Sequence, residues 1–570
     1  MEKADARAVL ANLVERIERH AESGKLRLDG VITSREFEAL QDALAELGRA
    51  PHQATPLPLS PSGADGTSPS AHAPPATSAS LQSAPAPRWT LKFDPNRQKA
   101  PVDDDVILCL DFGTARSKAF ARRRSQPGIY DLELALGEAS GDEGFSVAST
   151  VWIESSGDVF VGHEALARSI QQRHEGRQRL DSLKDELTQG ILGGIAGTPV
   201  DSSVNPTTTL LHQGDLISFY LGYLTDLAER ELERLGIAPY VLRRFALPCW
   251  EGDRRKWGED LLKDHLARAQ VLADTFRGQW NRGVKVSDIR HAVDQIEARK
   301  NELPRLLIDR GVLEPYAAGP QDVEPAFDSR RRQLLMVVDC GAGTTDYALF
   351  VIVQDPDDKN DEFVKLWLVE GTAGALRQAG NVVDRALRMS ILEREQIETR
   401  SVDGTRISQG IEREERLWKE ALLRDGFLRY TLPNDREGTI TEEEFLQHRA
   451  ITTFGEQLAA KFAETLASGT SAQILQKVES ELLVVLTGGG SSLPMVRRLA
   501  EGEITVHGVR LHRRRFEASP RGASARLGEA YPALAVAVGG AAPDLPRERS
   551  LKDIVGLAAT NVQPTTTYKS

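Results

Sequence analysis

The stretches Val106–Ser117 (VILCLDFGTARS) and Leu334–Tyr347 (LLMVVDCGAGTTDY) are near-copies, and their reading decides the fold. Each runs as a short apolar strand, an aspartate at its end, a glycine turn with threonine, and the start of a second strand. Glycine in such a turn reaches φ > 0 and lets backbone N–H groups come close to an anion. An aspartate at a strand end suits hydrated Mg²⁺, which takes one or two carboxylates together with waters and phosphate oxygens. Two such hairpins read as the halves of a pseudo-symmetric clamp on a nucleoside triphosphate. A third glycine-rich segment, Leu482–Pro494 (LLVVLTGGGSSLP), would close over the nucleoside.

Bulk properties narrow the class. A chain of 570 residues has room for several domain-sized units. Apolar residues at 40% and charged residues at 27% describe an ordinary soluble protein. The net charge of −12 argues against a general nucleic-acid binder. The local basic runs Arg122–Arg124, Arg330–Arg332 and Arg513–Arg515 read more readily as solvated surface than as partner patches. No apolar stretch approaches a membrane span and the N-terminus lacks a signal-peptide core, so a cytoplasmic protein with no membrane partner is expected. Cys109 and Cys340 lie inside strand-like runs and Cys249 follows another, without metal-ligand spacing. They read as buried thiols of a reducing compartment.

Along the chain, residues 1–48 read as a small helical module. Val9, Leu10, Leu13, Val14 and Ile17 share one helical face. A second helix is expected from the capping-box pattern Thr33-x-x-Glu36, through Phe37, Leu40, Leu44 and Leu47, to a stop at Gly48. Two short helices bury little, so they are expected to pack on something else. Residues 49–100 read as a disordered linker, because from Ala50 to Arg88 the composition collapses into Pro, Ser, Ala and Thr.

The body is expected over 101–545, with a first lobe at 105–335, a second at 336–525, and a final helix at 526–542. Strands are expected at Val106–Leu110, Ser117–Arg122, Ile129–Leu134, Ser149–Ile153 and Val159–Val161. Helices are expected at Asp215–Leu235, Trp257–Phe276, Ile289–Asp309, Val382–Glu395 and Phe445–Ala467. Strands and helices mixed in two repeated halves give an α/β class. Residues 546–570 read as a short polar tail.

Taken alone, Asp111–Thr114 reads as a hairpin turn. The joint order of several segments says more. It resembles the actin-like ATPase superfamily, and within it the nucleotide-binding domain of DnaK-type heat-shock chaperones. Asp111-Phe112-Gly113-Thr114 looks like that family's first phosphate motif, Asp339-Cys340-Gly341-Ala342-Gly343-Thr344-Thr345-Asp346 its second, and Thr487–Pro494 its adenosine motif. Phe245-Ala246-Leu247-Pro248 with Arg254-Arg255-Lys256 is similar to its first connecting segment, and Leu313-Glu314-Pro315-Tyr316-Ala317-Ala318 to its second. Ser182-Leu183-Lys184 sits where the family carries its catalytic lysine, and Thr441–Phe445 resembles a family helix start.

The resemblance implies a two-lobed fold, duplicated mixed-sheet domains around a nucleotide cleft, with ATP and Mg²⁺ as cofactors. It implies that Asp111 and Asp339 hold Mg²⁺ through its water shell. The backbone around Gly113, Thr114 and Ala115, and around Gly341, Ala342 and Gly343, would receive phosphate oxygens. Lys184 would place a point charge on the terminal phosphate and orient water; its alternative is a surface helix lysine. Glu314 would position water or metal, its alternative being a helix N-terminal glutamate. Thr344 would donate to the terminal phosphate, with Asp346 supporting the turn. Gly488, Gly489 and Gly490 would lie against ribose and adenine, and Gly374 and Lys419 would add nucleoside contacts.

Some positions depart from the family pattern. Ala115 and Ala342 restrict the two loops, and Tyr316 adds bulk near the hinge. Ser492 stands where an arginine would stack on adenine, which weakens the case for adenine specificity. The stretch 277–313 is longer than the family norm and reads either as a partner surface or as a decorated loop. No client-gripping β-sandwich or helical lid is expected after Ala542.

The expected function is therefore a slow, Mg²⁺-dependent ATPase switch of chaperone type, acting on a protein partner through residues 1–48 or 277–313. An actin-like polymerising ATPase, a catalytically weak nucleotide-binding adaptor and a sugar kinase are the alternatives. No client, pathway or oligomeric state is written in these residues.

Overall fold

In the computed structural model, the described residues are 17–19, 26–28, 89–94, 103–125, 128–140, 144–172, 175, 177–189, 197–250, 253–319, 332–354, 364–518, 523–550 and 553–554. The chain divides into two compact units, Met1–Ala84 and Pro85–Ser570. In the first, Ile17–Arg19 pairs antiparallel with Leu26–Leu28. Ile17 is thus a strand residue rather than the end of a helix, in keeping with the apolar–polar alternation of Leu26-Arg27-Leu28. The rest of the expected helical module lies outside the described residues.

The second unit is mixed α/β, and its two largest sheets share one topology. The first contains β1 (Asp103–Asp111), β2 (Arg116–Ser125), β3 (Gly128–Leu132), β4 (Val241–Leu247) and β5 (Ile308–Leu313) in the order β5-β4-β1-β2-β3. Strands β1, β2 and β3 form an antiparallel meander, and β4 and β5 run parallel to β1. The second contains β6 (Arg332–Cys340), β7 (Thr345–Gln354), β8 (Val364–Val369), β9 (Val478–Thr487) and β10 (Val509–Arg515) in the order β10-β9-β6-β7-β8. The same meander and the same parallel additions recur there. Strands covered on both faces read as continuous apolar runs. Leu334–Val338 and Leu482–Leu486 are buried throughout for that reason.

Parallel neighbours need long crossovers, and helices supply them. The first half has α1 (Leu183–Gln189), α2 (Gln213–Arg234), α3 (Asp253–Phe276), α4 (Val286–Ala298) and the short α5 (Glu314–Ala317). The second has α6 (Gly380–Arg394), α7 (Val402–Asp425), α8 (Arg449–Gly469) and α9 (Ala525–Gly540). Helix α9 sits where the two sheets share one apolar cluster, which includes Cys109, Phe120, Leu335, Val337, Phe350, Leu483, Leu534 and Val538. The approach is close: a Cβ on Gly539 would overlap the Ala317 carbonyl, and one on Gly540 the Cys109 sulfur.

Several expected elements change at their ends. The helix expected over Ile289–Asp309 stops at Ala298, and 3₁₀ turns at Lys300–Glu302 and Arg305–Leu307 lead into β5. Pro304 explains the break, since it has no N–H and pushes Leu303 out of the helical region. The helix expected over Phe445–Ala467 is two, Glu442–Leu446 and α8, because extended His448 caps α8 by accepting from the Ala450 N–H at 3.3 Å. The capping box expected at Thr441 is present. Helix α7 buries a stripe that includes Ile407, Ile411 and Leu422, but the many charged residues around that stripe hide it from a reading led by apolar runs.

Two segments outside the expected body belong to it. Trp89–Asp94, within the expected linker, packs on the first half. Trp89 stacks edge-on against Phe276 at 5.2 Å and Phe93 lies under the Arg299 guanidinium at 3.8 Å. The Lys92 N–H donates to Thr275 Oγ1 at 3.0 Å, and the Tyr240 hydroxyl donates to Asp94 at 2.8 Å. Much of the extra 277–313 stretch is therefore interior: Trp280, Ile289, Ala292 and Ile296 are buried. In the expected tail, Arg547–Arg549 pairs parallel with β8. Among the described residues no helix is long and apolar enough to cross a membrane.

Candidate functional site

The two meanders end on the same side, and their turns line one cavity of about 370 Å³. Antiparallel register fixes what faces it. Across β1 and β2, Asp111 pairs with Lys118; across β6 and β7, Asp339 pairs with Asp346. The hairpins are thus equivalent in backbone and opposite in charge. Lys118 Nζ lies 3.1 Å from Asp111 Oδ2. In the second hairpin the equivalent neighbour is another carboxylate.

Asp339, Asp346 and Glu314 are all buried, and each places a carboxylate oxygen within 4.8 Å of the others. Burial pushes Asp339 up to about 7, Glu314 and Asp111 adding to the effect and Lys118 opposing it. Burial, then Glu314 and Asp339, hold Asp346 well above the usual carboxylate range. Thr487 Oγ1 donates to Asp339 at 3.0 Å, and Thr344 Oγ1 to Asp346 Oδ2 at 2.8 Å. Asp346 Oδ1 is buried and, among the described residues, meets no hydrogen-bond donor. An orphaned anionic oxygen beside two more carboxylates is a donor set that fits a hard divalent cation.

Opposite the triad stands Lys184, buried and paired with Glu314. Burial works against its ammonium, but Glu314, Asp111 and Asp346 outweigh that and hold its pKa above the ordinary value. The residue before α1's first turn, Ser182, adopts φ +66. A non-glycine residue in that region is strained, and here it turns the chain so that Lys184 enters the cavity. Glu314 arrives from the other side, at the start of α5, where Pro315 in the first turn fits a helix N-terminus.

The glycine loop 488–490 closes one wall. Gly488 has φ +82, and a Cβ there would overlap the Cys340 carbonyl and lie 2.7 Å from Asp339 Oδ1. Its N–H donates to the Pro532 carbonyl at 2.7 Å, and the Gly490 N–H to the Cys340 carbonyl at 2.8 Å. These bonds tie the loop to β6 and α9. Helix α7 forms the outer wall with Arg416, Lys419, Glu420, Leu423 and Arg424. Lys419 is held by Asp384 at 2.6 Å.

Of the residues expected at the site, Asp111, Gly113, Thr114, Ala115, Lys184, Glu314, Asp339, Gly341, Ala342, Gly343, Thr344, Lys419 and Gly488–Gly490 all line this cavity. Gly374 does not line it. It pairs with Tyr347 at the start of a short strand, Gly374–Leu376, and Gly380, at the head of α6, lines the cavity in its place. Both residues of the expected metal pair, Asp111 and Asp339, line the cavity. Asp111 is engaged by Lys118, and the carboxylates that converge are Glu314, Asp339 and Asp346.

Lys118, Arg416 and Arg424 are cavity residues that sequence reasoning missed. The signal for Lys118 was present, since it holds the position after Asp111 that Asp346 holds after Asp339. Arg416 and Arg424 bring planar cations to the cavity that Ser492 cannot supply. Cys249 lies beside the triad, and burial followed by Asp346 and Glu314 pushes its thiol well up, which keeps it unreactive.

Away from the residues that line the cavity, the two halves also touch directly. Arg413 of α7 is buried and donates to the carbonyls of Gln172, Glu175 and Arg177, while Arg179 donates back to the Arg413 carbonyl at 2.9 Å. A scan against protein-family models finds no match for this chain, and a search of curated proteins finds none either.

Proposed function

We propose that the chain binds ATP with Mg²⁺ and hydrolyses it slowly, acting as a conformational switch of the actin-like, DnaK-type kind on a protein partner. The observation that carries this reading is the convergence of two equivalent glycine turns, a buried carboxylate triad and a buried lysine on one cavity. Backbone N–H groups at 113–115 and 342–343 receive phosphate oxygens, the Gly341 N–H being held by the Thr344 carbonyl at 3.0 Å. Lys118 and Lys184 supply positive charge beside them. Glu314, Asp339 and Asp346 hold the cation, whose charge offsets that of the triphosphate when it is bound. Glu314, freed from Lys184 once a phosphate draws the ammonium away, orients the attacking water. The nucleoside lies between loop 488–490 and α7. Closing and opening of the two halves passes the nucleotide state to a partner engaged through residues 1–48 or the exposed part of 277–313.

Calorimetric titration with ATP and ADP, in Mg²⁺ and in EDTA, tests the binding. Loss of affinity in EDTA is expected, and an absence of binding under both conditions would end the proposal. One observation favours a catalytically weak adaptor instead: Lys184 and Glu314 neutralise each other. Steady-state turnover of Lys184→Ala separates the two readings. A fall relative to the parent supports catalysis here, and equal rates favour the adaptor.

A further inference from the structure

One carboxylate stands where the two glycine turns meet. Asp185, in the first turn of α1, accepts from Thr114 Oγ1 at 3.2 Å and from Asn381 Nδ2 at 3.3 Å. Thr114 belongs to the turn after β1. Asn381 opens α6, and its backbone N–H donates to the Ala342 carbonyl in the turn after β6, at 2.8 Å. A Cβ on Gly343 would overlap the Asp185 carboxylate and lie 2.9 Å from Thr114 Oγ1. Asp185 therefore uses donors of the kind an arriving oxyanion needs: a turn hydroxyl and a polar side chain at a helix N-terminus.

We propose that Asp185 is a specificity-determining residue, an internal anion that competes with the terminal phosphate of a triphosphate so that the resting cavity favours a diphosphate. The inference rests on the nucleotide reading above. A triphosphate must bring a further negative charge beside this carboxylate or displace it from Thr114 and Asn381. A diphosphate, one phosphate shorter, need not. Like charges set side by side at a half-buried junction cost affinity. The neighbouring Lys184 is committed to Glu314. Burial raises the Asp185 pKa, with Thr114 and Lys184 opposing, as befits a carboxylate held in a closed junction.

The test compares Mg-ATP and Mg-ADP binding by calorimetry in the parent, in Asp185→Asn and in Asp185→Ser. The parent is expected to prefer ADP. Both variants are expected to raise ATP affinity relative to ADP at least tenfold, which is about 1.4 kcal/mol. A ratio unchanged in both variants, with both nucleotides still binding, overturns the inference and leaves the nucleotide reading intact. Inorganic pyrophosphate serves as a second probe. If no protein binds a nucleotide, the nucleotide reading falls. The competition then stands only if pyrophosphate binds the variants more tightly than the parent, and equal or absent binding overturns it as well.

Discussion

Replacing Lys184 by methionine keeps the apolar stem and removes the charge that faces Glu314. Both side chains are buried, so the variant strands a carboxylate beside Asp339 and Asp346. Breaking a buried pair by deleting one partner costs about 3–5 kcal/mol. Proton uptake sets a ceiling on that cost. An ordinary glutamate titrating near 4.3 can be neutralised at pH 7.5 for about 1.4 kcal/mol per pH unit, or about 4 kcal/mol. The expected loss at pH 7.5 is therefore about 3–4 kcal/mol, out of a total of the order of 10 kcal/mol. The sign of its pH dependence follows from linkage. In the variant the stranded carboxyl binds its proton more tightly folded than unfolded, so stability is recovered as pH falls. Asp346 loses the opposing Lys184 charge in the variant, so it shifts in the same direction and adds to the recovery on acidification. Urea denaturation in EDTA at pH 7.5, 6.5 and 5.5 measures it, with the m-value checked for constancy. A difference below about 1 kcal/mol at pH 7.5, or one that does not shrink on acidification, would refute the buried-pair argument.

Asp339, pushed up to about 7 by burial first and then by Glu314, makes a second pH prediction. Its folded pKa exceeds its unfolded one, so its contribution is full below about pH 4 and is lost as pH rises through about 7. Asp339→Asn should flatten that part of the stability–pH curve in EDTA. Gly488→Ala places a Cβ at φ +82 against the Cys340 carbonyl, so thermal unfolding should register a loss of at least 1–2 kcal/mol. Trp89→Ala removes the contacts to Phe276 and His291. It should cost about 1–3 kcal/mol and speed amide exchange at Lys92, whose N–H is bonded to Thr275. Arg413→Ala deletes three donations from α7 to the carbonyls of the first half. Stopped-flow displacement of a fluorescent nucleotide should then show faster release, and an unchanged rate would mean that these bonds do not gate the cavity.

How much was legible depended on whether the information is local. The duplicated meander was readable because an apolar strand, an aspartate and a glycine turn lie within a few consecutive residues, and antiparallel pairing across a tight turn is a short-range event. That places Asp111, Asp339 and both turns. The same local register also encoded the Lys118–Asp111 neighbourhood, which only a strand-by-strand comparison of the hairpins brings out. Helix α7 was hidden because its apolar stripe is set among many charged residues and contains no long apolar run, and Gly380 rather than Gly374 reaches the cavity because a few residues of loop decide which glycine does. The seating of Trp89–Asp94 was hidden for another reason: its partners Phe276, Thr275, His291 and Arg299 come from segments far along the chain.

By itself, then, the sequence determined the two hairpins, their glycine turns and the carboxylates at their ends, since each is fixed by backbone geometry over a few residues. Only the tertiary structure decided that Glu314 joins Asp339 and Asp346, that Lys184 faces Glu314 rather than solvent, and that Asp185 stands between the turns. Those relations join residues of different elements, 130 positions apart for Lys184 and Glu314 and 71 for Thr114 and Asp185, and they exist because α9 and a shared apolar cluster hold two sheets at a fixed separation. Charges brought together in that way set one another's protonation, which no linear pattern of residues specifies.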